Sequence, residues 1–245
     1  MATKPRTRLA APYLRGARLI PDRIGRGWPF DLPVLADPEF EIAFARPVTF
    51  FVGENGSGKS TVLEAIAAQC GFATGGGSRD HANAAPEETS RLAAALRLSW
   101  LPRISQGFYF RGEASLQLAA YLDTAGVRHD AGLRTRSHGE AFLALVEQRM
   151  SPSGPAVLLL DEPETALSPA RQLSFLAEID RWHRSGHVQA IVATHSPIIL
   201  AYPHATLLSF DGGRIREVAY EDTEHFRITR AFLNDRTRFL ARLID

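Results

Sequence analysis

The chain alternates short, continuously apolar runs with longer segments whose apolar residues recur every three or four positions. The runs Val48–Val52, Ala156–Leu160 and Gln189–Ala193 predict buried strands, and a run as apolar as Ala156–Leu160 is typical of a parallel sheet covered on both faces. Gly107–Phe110 predicts a short aromatic strand. From Lys59 onward, apolar residues at i, i+3, i+4 and i+7 predict a helix that extends to position 70.

The remaining pattern predicts further helices and one hairpin. Ser168 is a suitable N-cap for a helix that has Pro169 in its first turn. Asp211-Gly212-Gly213, between two β-rich runs, indicates a hairpin turn. The predicted helices are Glu87–Trp100, Glu113–Thr124, Ser137–Met150, Ser168–Trp182 and Thr223–Ile244, the last with a break near Asn234-Asp235; the hairpin strands are Thr206–Phe210 and Arg214–Val218.

Glycine and proline mark the irregular segments. Pro21–Pro47 is rich in both and predicts short extended pieces and turns. Gly71–Pro86 is poor in apolar residues and predicts a mobile surface loop. Because strands alternate with helices elsewhere, we expect an α/β domain with a mostly parallel central sheet. The length of 245 residues fits one such domain, spanning 1–245.

The amino-acid composition excludes several classes of protein. The 28 basic and 27 acidic residues give a net charge of +1, which argues against coating nucleic acid by bulk electrostatics but leaves a local basic patch open. One cysteine, Cys70, excludes an intramolecular disulfide framework and suits a reducing compartment. No apolar run approaches the roughly 20 residues of a membrane helix. We therefore expect a cytoplasmic protein without membrane insertion.

The N-terminal segment is rich in arginine. Its longest apolar stretch, Leu9–Leu14, is interrupted by Pro12 and is too short for the core of a signal peptide. An organelle transit segment would look similar, and a solvated tail is the interpretation we favour. Arg128, Arg134 and Arg136 form another small basic cluster, for which a solvated face is the default and a phosphate contact the alternative.

The rarity of lysine in this chain draws attention to Lys59 as a candidate binding residue. Of the 28 basic residues 26 are arginine, and the lysines are Lys4 and Lys59. Lys59 lies in Gly53–Ser60, which fits G-x-x-x-x-G-K-[ST] between a predicted strand and a predicted helix. Such a loop turns backbone N–H groups toward phosphate oxygens, while the ammonium reaches the β- and γ-phosphates and the Ser60 hydroxyl reaches Mg²⁺. We therefore expect nucleotide binding rather than a chance glycine turn.

Two acids end the predicted strand Ala156–Leu160. Ligands of open α/β sheets lie at the carboxyl ends of strands, so Asp161 and Glu162 are expected beside the phosphate loop. Asp161 would orient Mg²⁺, and Glu162 would orient the attacking water or accept its proton. The alternative is a pair of acids that simply faces solvent.

These motifs together resemble a known class. Gly53–Thr61 (GENGSGKST), Leu160–Glu164 (LDEPE), Ala166-Leu167-Ser168 and Thr194-His195-Ser196 are similar to the motifs of the ATP-binding-cassette (ABC) P-loop ATPases, in the order that class uses. More closely, the chain resembles the compact stand-alone "AAA family" ATPases related to the SMC and double-strand-break-repair ATPase heads. The resemblance extends from about Phe30 to Leu243. It implies a P-loop NTPase fold with some antiparallel β elements beside the parallel sheet and a helical lobe at about residues 71–150 that carries the family's signature motif.

The resemblance implies roles for further residues. Ser137-His138-Gly139-Glu140 looks like the family's signature motif, which binds the γ-phosphate of ATP held by a second subunit. It differs from the transporter form LSGGQ, and Ser137 with Glu140 also fits a simple capping box. His195 would contact the γ-phosphate and the catalytic water. Gln106 resembles the glutamine that reaches Mg²⁺ and water, although a surface glutamine would look the same.

The implied site can be stated residue by residue. The ATP-binding residues are Gly53, Glu54, Asn55, Gly56, Ser57, Gly58, Lys59, Ser60, Thr61, Ser137 and Gly139; the metal residues are Ser60, Asp161 and Gln106; the catalytic residues are Glu162, His195 and Gln106. Trp28 or Phe30 could stack on adenine, although core packing is the simpler expectation for both. Ala166-Leu167-Ser168 would touch the partner subunit.

Three functions remain open on the sequence alone. The first is an Mg²⁺-dependent ATPase that dimerises around two ATP molecules and drives or gates an unidentified protein partner. The second is a nucleotide sensor with little hydrolysis, which the intact pair Asp161-Glu162 argues against. The third is the ATPase subunit of a transporter, which the signature at Ser137 argues against. The 76 residues between Ser60 and Ser137 have no heptad pattern, so no long coiled-coil arm is expected. Binding of nucleic acid is possible on this reading, although no DNA-reading motif is evident.

Overall fold

A computed structural model describes residues 9–78, 85–112, 142, 146, 150 and 152–244. The predicted helix Glu113–Thr124, most of Ser137–Met150 and the basic cluster at 128–136 lie outside these ranges, as does much of the predicted lobe. In the described part of the chain no helix is both long and apolar enough to cross a bilayer.

The described strands follow the predicted apolar runs closely. They are β1 (Leu14–Leu19), β2 (Glu41–Ala43), β3 (Val48–Val52), β4 (Leu96–Trp100), β5 (Gly107–Arg111), β6 (Ala156–Asp161), β7 (Val188–Ala193), β8 (Thr206–Ser209) and β9 (Arg216–Glu217). The predicted strands Val48–Val52, Gly107–Phe110, Ala156–Leu160 and Gln189–Ala193 are therefore confirmed, most of them with one residue added. The predicted hairpin is confirmed as well, since β8 and β9 pair in antiparallel fashion across Asp211–Gly213.

The described helices begin and end at recognisable signals. They are α1 (Lys59–Cys70), α2 (Glu87–Ala95), α3 (Pro169–Ser185), α4 (Pro197–Leu200), α5 (Glu224–Asn234) and α6 (Arg236–Leu243). Gly71 ends α1 in the left-handed conformation that favours glycine. Asp235 separates α5 from α6 and caps the latter through its side chain, which accepts a hydrogen bond from the Arg238 N–H. The predicted break in the C-terminal helix is thus confirmed.

A six-stranded sheet forms the centre of the fold. Its order is β5-β6-β7-β3-β8-β9, parallel except for the antiparallel edge strand β9. The loops that follow β6, β7 and β3 therefore emerge side by side at one edge of the sheet, because these three strands are neighbours and run in the same direction. This order brings the predicted phosphate loop, acid pair and histidine to one place. The α/β class with a mostly parallel sheet is confirmed.

Both faces of this sheet are buried. Side chains alternate along β3, so that Phe51 packs into one hydrophobic cluster with Leu63 of α1, and Phe50 packs into another with Phe175 of α3. A helix layer on each side of a parallel sheet explains why these strands are continuously apolar.

A second, three-stranded antiparallel sheet has the order β2-β1-β4. Its strand β1 corrects the expectation of a solvated N-terminal tail, since Leu14 and Ala17 are buried. The buried Gln189 of β7 fastens this sheet to the central one: its side-chain oxygen accepts from the N–H groups of Tyr13 and Leu14, each at 2.8 Å, and its amide donates to the Leu14 carbonyl at 2.8 Å. The two sheets thereby form one body around a shared core.

The predicted helix Glu87–Trp100 is wrong in its second half. The helix ends at Ala95, and residues 96–100 form β4, paired residue by residue with β1. The partner strand lies about eighty positions earlier in the chain, so local propensity carried no sign of it.

The predicted mobile loop Gly71–Pro86 is wrong at its beginning. Phe72 is buried in the core, and Gly77 exchanges backbone hydrogen bonds with Tyr109. Strands β4 and β5 also lie within the range 71–150, so the helical lobe does not occupy the whole of that range. The division into one domain with a lobe remains a prediction.

Candidate functional site

The loop between β3 and α1 is shaped by glycines that other residues could not replace. Gly58 has φ 101°, and a Cβ on it would lie 2.9 Å from a methyl carbon of Val34. Its carbonyl accepts the Val62 N–H at 2.9 Å, which opens α1 directly after the loop. The loop therefore presents the N-terminus of α1, whose dipole favours a bound phosphate group.

Lys59 is buried beneath this loop. Its Nζ donates to the carbonyl oxygens of Gly53 at 2.7 Å and Glu54 at 2.9 Å. Burial lowers the pKa of its ammonium, while Glu162, Asp211 and other acids oppose the shift. The compact ammonium is thus held under the loop by two carbonyl oxygens and lies near several carboxylates.

Asp211 braces the same loop from the neighbouring strand end. Its Oδ1 accepts the N–H of Glu54 at 2.8 Å, and Ser209 donates to its Oδ2 at 3.2 Å. Gly53 has φ 149°, and a Cβ on it would lie 2.8 Å from this carboxylate, so a larger residue there would be strained and would displace the Asp211 side chain. The sequence indicates Asp211 only as a turn residue, because its role at the loop depends on the pairing of β8 with β3.

The predicted partner of the loop, Asp161, reaches it directly. The Ser60 hydroxyl donates to Asp161 Oδ1 at 2.8 Å. Burial raises the pKa of the Asp161 carboxyl to about 6, opposed by the hydrogen bond from Ser60. A hydroxyl and a carboxylate oxygen side by side form a donor set that suits Mg²⁺, which takes oxygen ligands and needs few from the protein.

Glu162 has an unusual backbone. Its φ of 48° and ψ of 54° are left-handed, and among the described residues it is the non-glycine residue with positive φ. Its N–H donates to Ala193 of β7 at 2.9 Å, and the Thr165 hydroxyl donates to its carbonyl at 2.8 Å. Strand β7 and the turn that follows Glu162 thus hold a conformation that costs energy, as is common at functional sites.

His195 follows β7 and faces Glu162. Its Nε2 lies 3.7 Å from Glu162 Oε1. Glu164 fixes the backbone here, because one carboxylate oxygen accepts the His195 N–H at 2.6 Å and the other accepts the Thr194 hydroxyl at 2.8 Å. Burial raises the pKa of Glu164, and these hydrogen bonds oppose the rise. Glu164 thereby joins the loop after β6 to the loop after β7.

A second histidine contacts the first. His195 Nδ1 and His225 Nε2 are 2.9 Å apart. Burial lowers the pKa of His195 to about 4, with Lys59 and His225 adding to the effect. His195 is therefore neutral at pH 7. Sequence analysis gave His225 no role, and nothing local in the sequence distinguishes it.

Gln106 is not brought to this cluster. It is exposed and precedes β5, at the amino end of a strand whose carboxyl end is Arg111, paired with Asp161. With about 3.3 Å per residue, it lies roughly 16 Å along the strand from the level of Asp161. The expectation that Gln106 contacts the metal and the water is corrected on this geometry, since a glutamine for that role must follow a strand here.

The other predicted residues are placed as follows. Glu54, Asn55 and Gly56 are exposed at the tip of the loop, while Ser57 and Thr61 are partly buried. Ser137 and Gly139 lie outside the described residues.

Two further expectations concerned the aromatic residues. Phe30 is buried in the core as expected, whereas Trp28 is half exposed, which contradicts core packing for it.

A phosphate loop after β3, an acid pair after β6 and a parallel sheet between helix layers define a P-loop NTPase. Comparison with known proteins shows to which family of P-loop NTPases the chain belongs. The chain is 30% identical to the hemin import ATP-binding protein HmuV of Nocardia farcinica over 223 residues, 82% of this chain and 75% of that one. It is 30% identical to HmuV of Pseudomonas aeruginosa over 186 residues, 66% and 72% of the two chains.

Two family profiles also match the chain. A profile described as "AAA domain" matches residues 36–97, and an AAA-domain profile whose description refers to AbiEii toxins of type IV toxin–antitoxin systems matches residues 138–201. The SMC head domain of Thermotoga maritima is similar at 21% identity over 73% of this chain and 92% of that one, with a TM-score of 0.41, which adds nothing to the assignment. The chain belongs to the ABC-type P-loop ATPases, enzymes that bind and hydrolyse ATP.

Proposed function

We propose that ATP is bound and hydrolysed by the loop Gly53–Thr61 together with Asp161, Glu162 and His195. The observation that carries this assignment is the 2.8 Å hydrogen bond from Ser60 to Asp161, which joins the start of α1 to the end of β6. Lys59 and the amides of the loop would bind the β- and γ-phosphates.

Ser60 and Asp161 are the residues that would hold Mg²⁺. Their adjacent oxygens fit an ion that takes oxygen ligands and keeps several waters and substrate oxygens. When bound, such an ion neutralises charge on the phosphates. The remaining steps of the hydrolysis would be carried out by side chains of the chain itself.

Glu162 would act on the water that attacks the γ-phosphorus. The water oxygen forms a bond to that phosphorus, the bond to the β–γ bridging oxygen breaks, and ADP leaves. Glu162 orients the water and accepts its proton, and the buried ammonium of Lys59 stabilises charge on the departing phosphates. His195, neutral and 3.7 Å from Glu162, would donate a hydrogen bond to the γ-phosphate.

We further propose that two copies of the chain enclose two ATP molecules. Ser137 and Gly139, by resemblance to the family signature, would contact the γ-phosphate bound by the other copy. Closure on binding and opening after hydrolysis would drive or gate a protein partner in the cytoplasm.

The test uses Glu162→Gln and Lys59→Ala. Glu162→Gln removes the proton acceptor and keeps the shape, so turnover should fall by at least about a hundredfold while ATP binding persists. The same variant should raise the measured mass to that of a dimer when ATP and Mg²⁺ are present. Lys59→Ala should abolish ATP binding. Unchanged turnover in Glu162→Gln, or parent-like ATP affinity in Lys59→Ala, would overturn the site assignment.

A second function, the ATPase subunit of an importer, is favoured by the two relatives named as hemin import ATP-binding proteins. The form of the signature at Ser137–Glu140 argues against it, and the intact pair of Glu162 and His195 argues against a pure nucleotide sensor. Copurification with a membrane-spanning protein would favour the importer; turnover stimulated by a non-membrane protein or by DNA would favour the stand-alone ATPase.

A further inference from the structure

The start of α5 is fastened to the loop that carries His195. The Tyr220 hydroxyl donates to the Pro197 carbonyl at 2.8 Å, two residues after His195. The ring of Tyr220 packs on Phe226, with centroids 4.6 Å apart. The buried Thr223 caps α5, since its hydroxyl accepts the Phe226 N–H at 3.3 Å. These contacts leave the first turn of α5 little freedom relative to the loop after β7.

His225 lies in that first turn and contacts His195 through ring nitrogens. The Nδ1 of His195 and the Nε2 of His225 are 2.9 Å apart, so a single proton lies between them. The other nitrogens, Nε2 of His195 and Nδ1 of His225, are buried and have no hydrogen-bond partner in the described part of the chain. The Nδ1 atom of His225 is therefore shielded from solvent, and the Nε2 atom of His195 faces Glu162.

The charges around His195 determine which of its two ring nitrogens carries the proton. A neutral imidazole carries a proton on one nitrogen. His195 Nε2 faces the Glu162 carboxylate at 3.7 Å and, in the proposed site, the oxygens of the γ-phosphate, all of which are acceptors. A proton is favoured on Nε2, so His195 Nδ1 must accept and His225 Nε2 must donate.

We propose that His225 is a positioning residue that fixes His195 as the Nε2–H tautomer with this N–H directed at the γ-phosphate, a role that rests on the proposed function of His195. His225 does not touch ATP. It removes the competing Nδ1–H tautomer, in which His195 would present a lone pair to acceptors, and it holds the plane of the ring. Outer partners that set the tautomer of metal-bound histidines in the same way typically change metal affinity or activity by about tenfold to a hundredfold when removed.

The experiment compares His225→Ala with His225→Gln in the full-length protein. His225→Ala should lower kcat by at least about tenfold and leave KM for ATP within about twofold. Gln places an amide N–H where the imidazole Nε2–H was, so His225→Gln should recover most of kcat. His204→Ala is the matched control, because His204 is exposed, stacks on His183 and precedes β8 at the opposite edge of the sheet; it should leave kcat unchanged.

A second readout does not depend on turnover. Nitrogen-15 spectra of the His195 ring at pH 7 should show the Nε2–H tautomer in the parent and a mixture of tautomers in His225→Ala. A proton on Nδ1 of His195 in the parent, or a loss of kcat in His225→Ala that His225→Gln does not restore and that leaves the tautomer unchanged, would overturn the proposal. If His195→Ala itself retains full turnover, the proposed function of His195 fails, and the tautomer measurement still decides whether His225 sets the ring.

Discussion

The Ser60 hydroxyl donates a hydrogen bond of 2.8 Å to the Asp161 carboxylate, although the two residues lie 101 positions apart in the chain. The contact joins the first turn of α1, which follows β3, to the end of β6, and one strand, β7, lies between β3 and β6. The site is therefore assembled by the order of the strands in the sheet rather than by one local motif.

Replacing Ser60 with Ala should remove most of the Mg²⁺ dependence of ATP binding. The hydroxyl is the one oxygen that α1 contributes beside Asp161, and its loss should weaken Mg·ATP binding by about tenfold or more. Binding of a fluorescent ATP analogue, titrated with Mg²⁺ and with a chelator, measures the effect. Ser60→Thr keeps the hydroxyl and serves as the control. An unchanged ratio of the two affinities in Ser60→Ala would remove Ser60 from the metal site.

Glu162→Gly should be more stable than Glu162→Ala by about 1 kcal/mol. Both variants lose the carboxylate, but only glycine relieves the cost of a left-handed backbone at φ 48°. Urea unfolding monitored by circular dichroism gives the difference. Both variants should lack turnover, so the strain would be separated from the chemistry. Equal stabilities would show that the surrounding hydrogen bonds, not the side chain at this position, set the conformation.

His195 should make stability fall as the pH drops below about 6.5. Its pKa is about 4 in the folded protein, against an ordinary value near 6.5 in the unfolded chain. Between those values the unfolded chain binds a proton that the folded protein does not, so the contribution to stability is present above pH 6.5 and is lost toward pH 4.

Unfolding free energies at pH 7 and pH 5 isolate this effect. The parent should lose more stability over that interval than His195→Gln, which cannot take up the proton. Asp161, whose pKa of about 6 lies in the same interval, is common to both proteins, so its contribution cancels in the comparison. Identical losses in the two proteins would contradict the depressed pKa.

Gln189→Ala should destabilise the fold by about 3 to 5 kcal/mol. The substitution leaves the buried N–H groups of Tyr13 and Leu14 and the Leu14 carbonyl without partners, and each such group carries a desolvation cost. Chemical denaturation measures the loss. Gln106→Ala is the control at an exposed glutamine: it should change stability by less than about 0.5 kcal/mol, and its turnover should equal that of the parent because Gln106 lies away from Asp161.

The sequence predicted the parts of the site whose signals are local. The strand Val48–Val52 and the helix from Lys59 were predicted at their observed bounds, because burial on both faces and helical periodicity are written in consecutive residues. Asp161 and Glu162 followed from the rule that strand ends meet at one edge. The contact of Asp161 with Ser60 also depends on the order of the strands, which places β6 one strand away from β3.

Other parts depend on pairings that the sequence does not display. Residues 96–100 continue a helical pattern until β1 supplies a partner strand, and tertiary hydrogen bonding then outweighs propensity. The contact of His225 with His195 depends on where α5 begins relative to β7, and the brace from Asp211 to Glu54 depends on β8 lying beside β3. Gln106 was predicted to precede its strand, as it does, but the start of a parallel strand lies at the opposite edge of the sheet from the residues that follow β6 and β7.

Lys59 is buried under two carbonyl oxygens, in a chain whose other lysine is Lys4. A sample grown with nitrogen-15 lysine would therefore contain two labelled side-chain amines, and one of them would be the amine that meets the triphosphate. A single resonance could then report how much triphosphate is bound, how fast it exchanges, and how a second copy or a partner changes its binding. No reporter group would have to be attached to the protein.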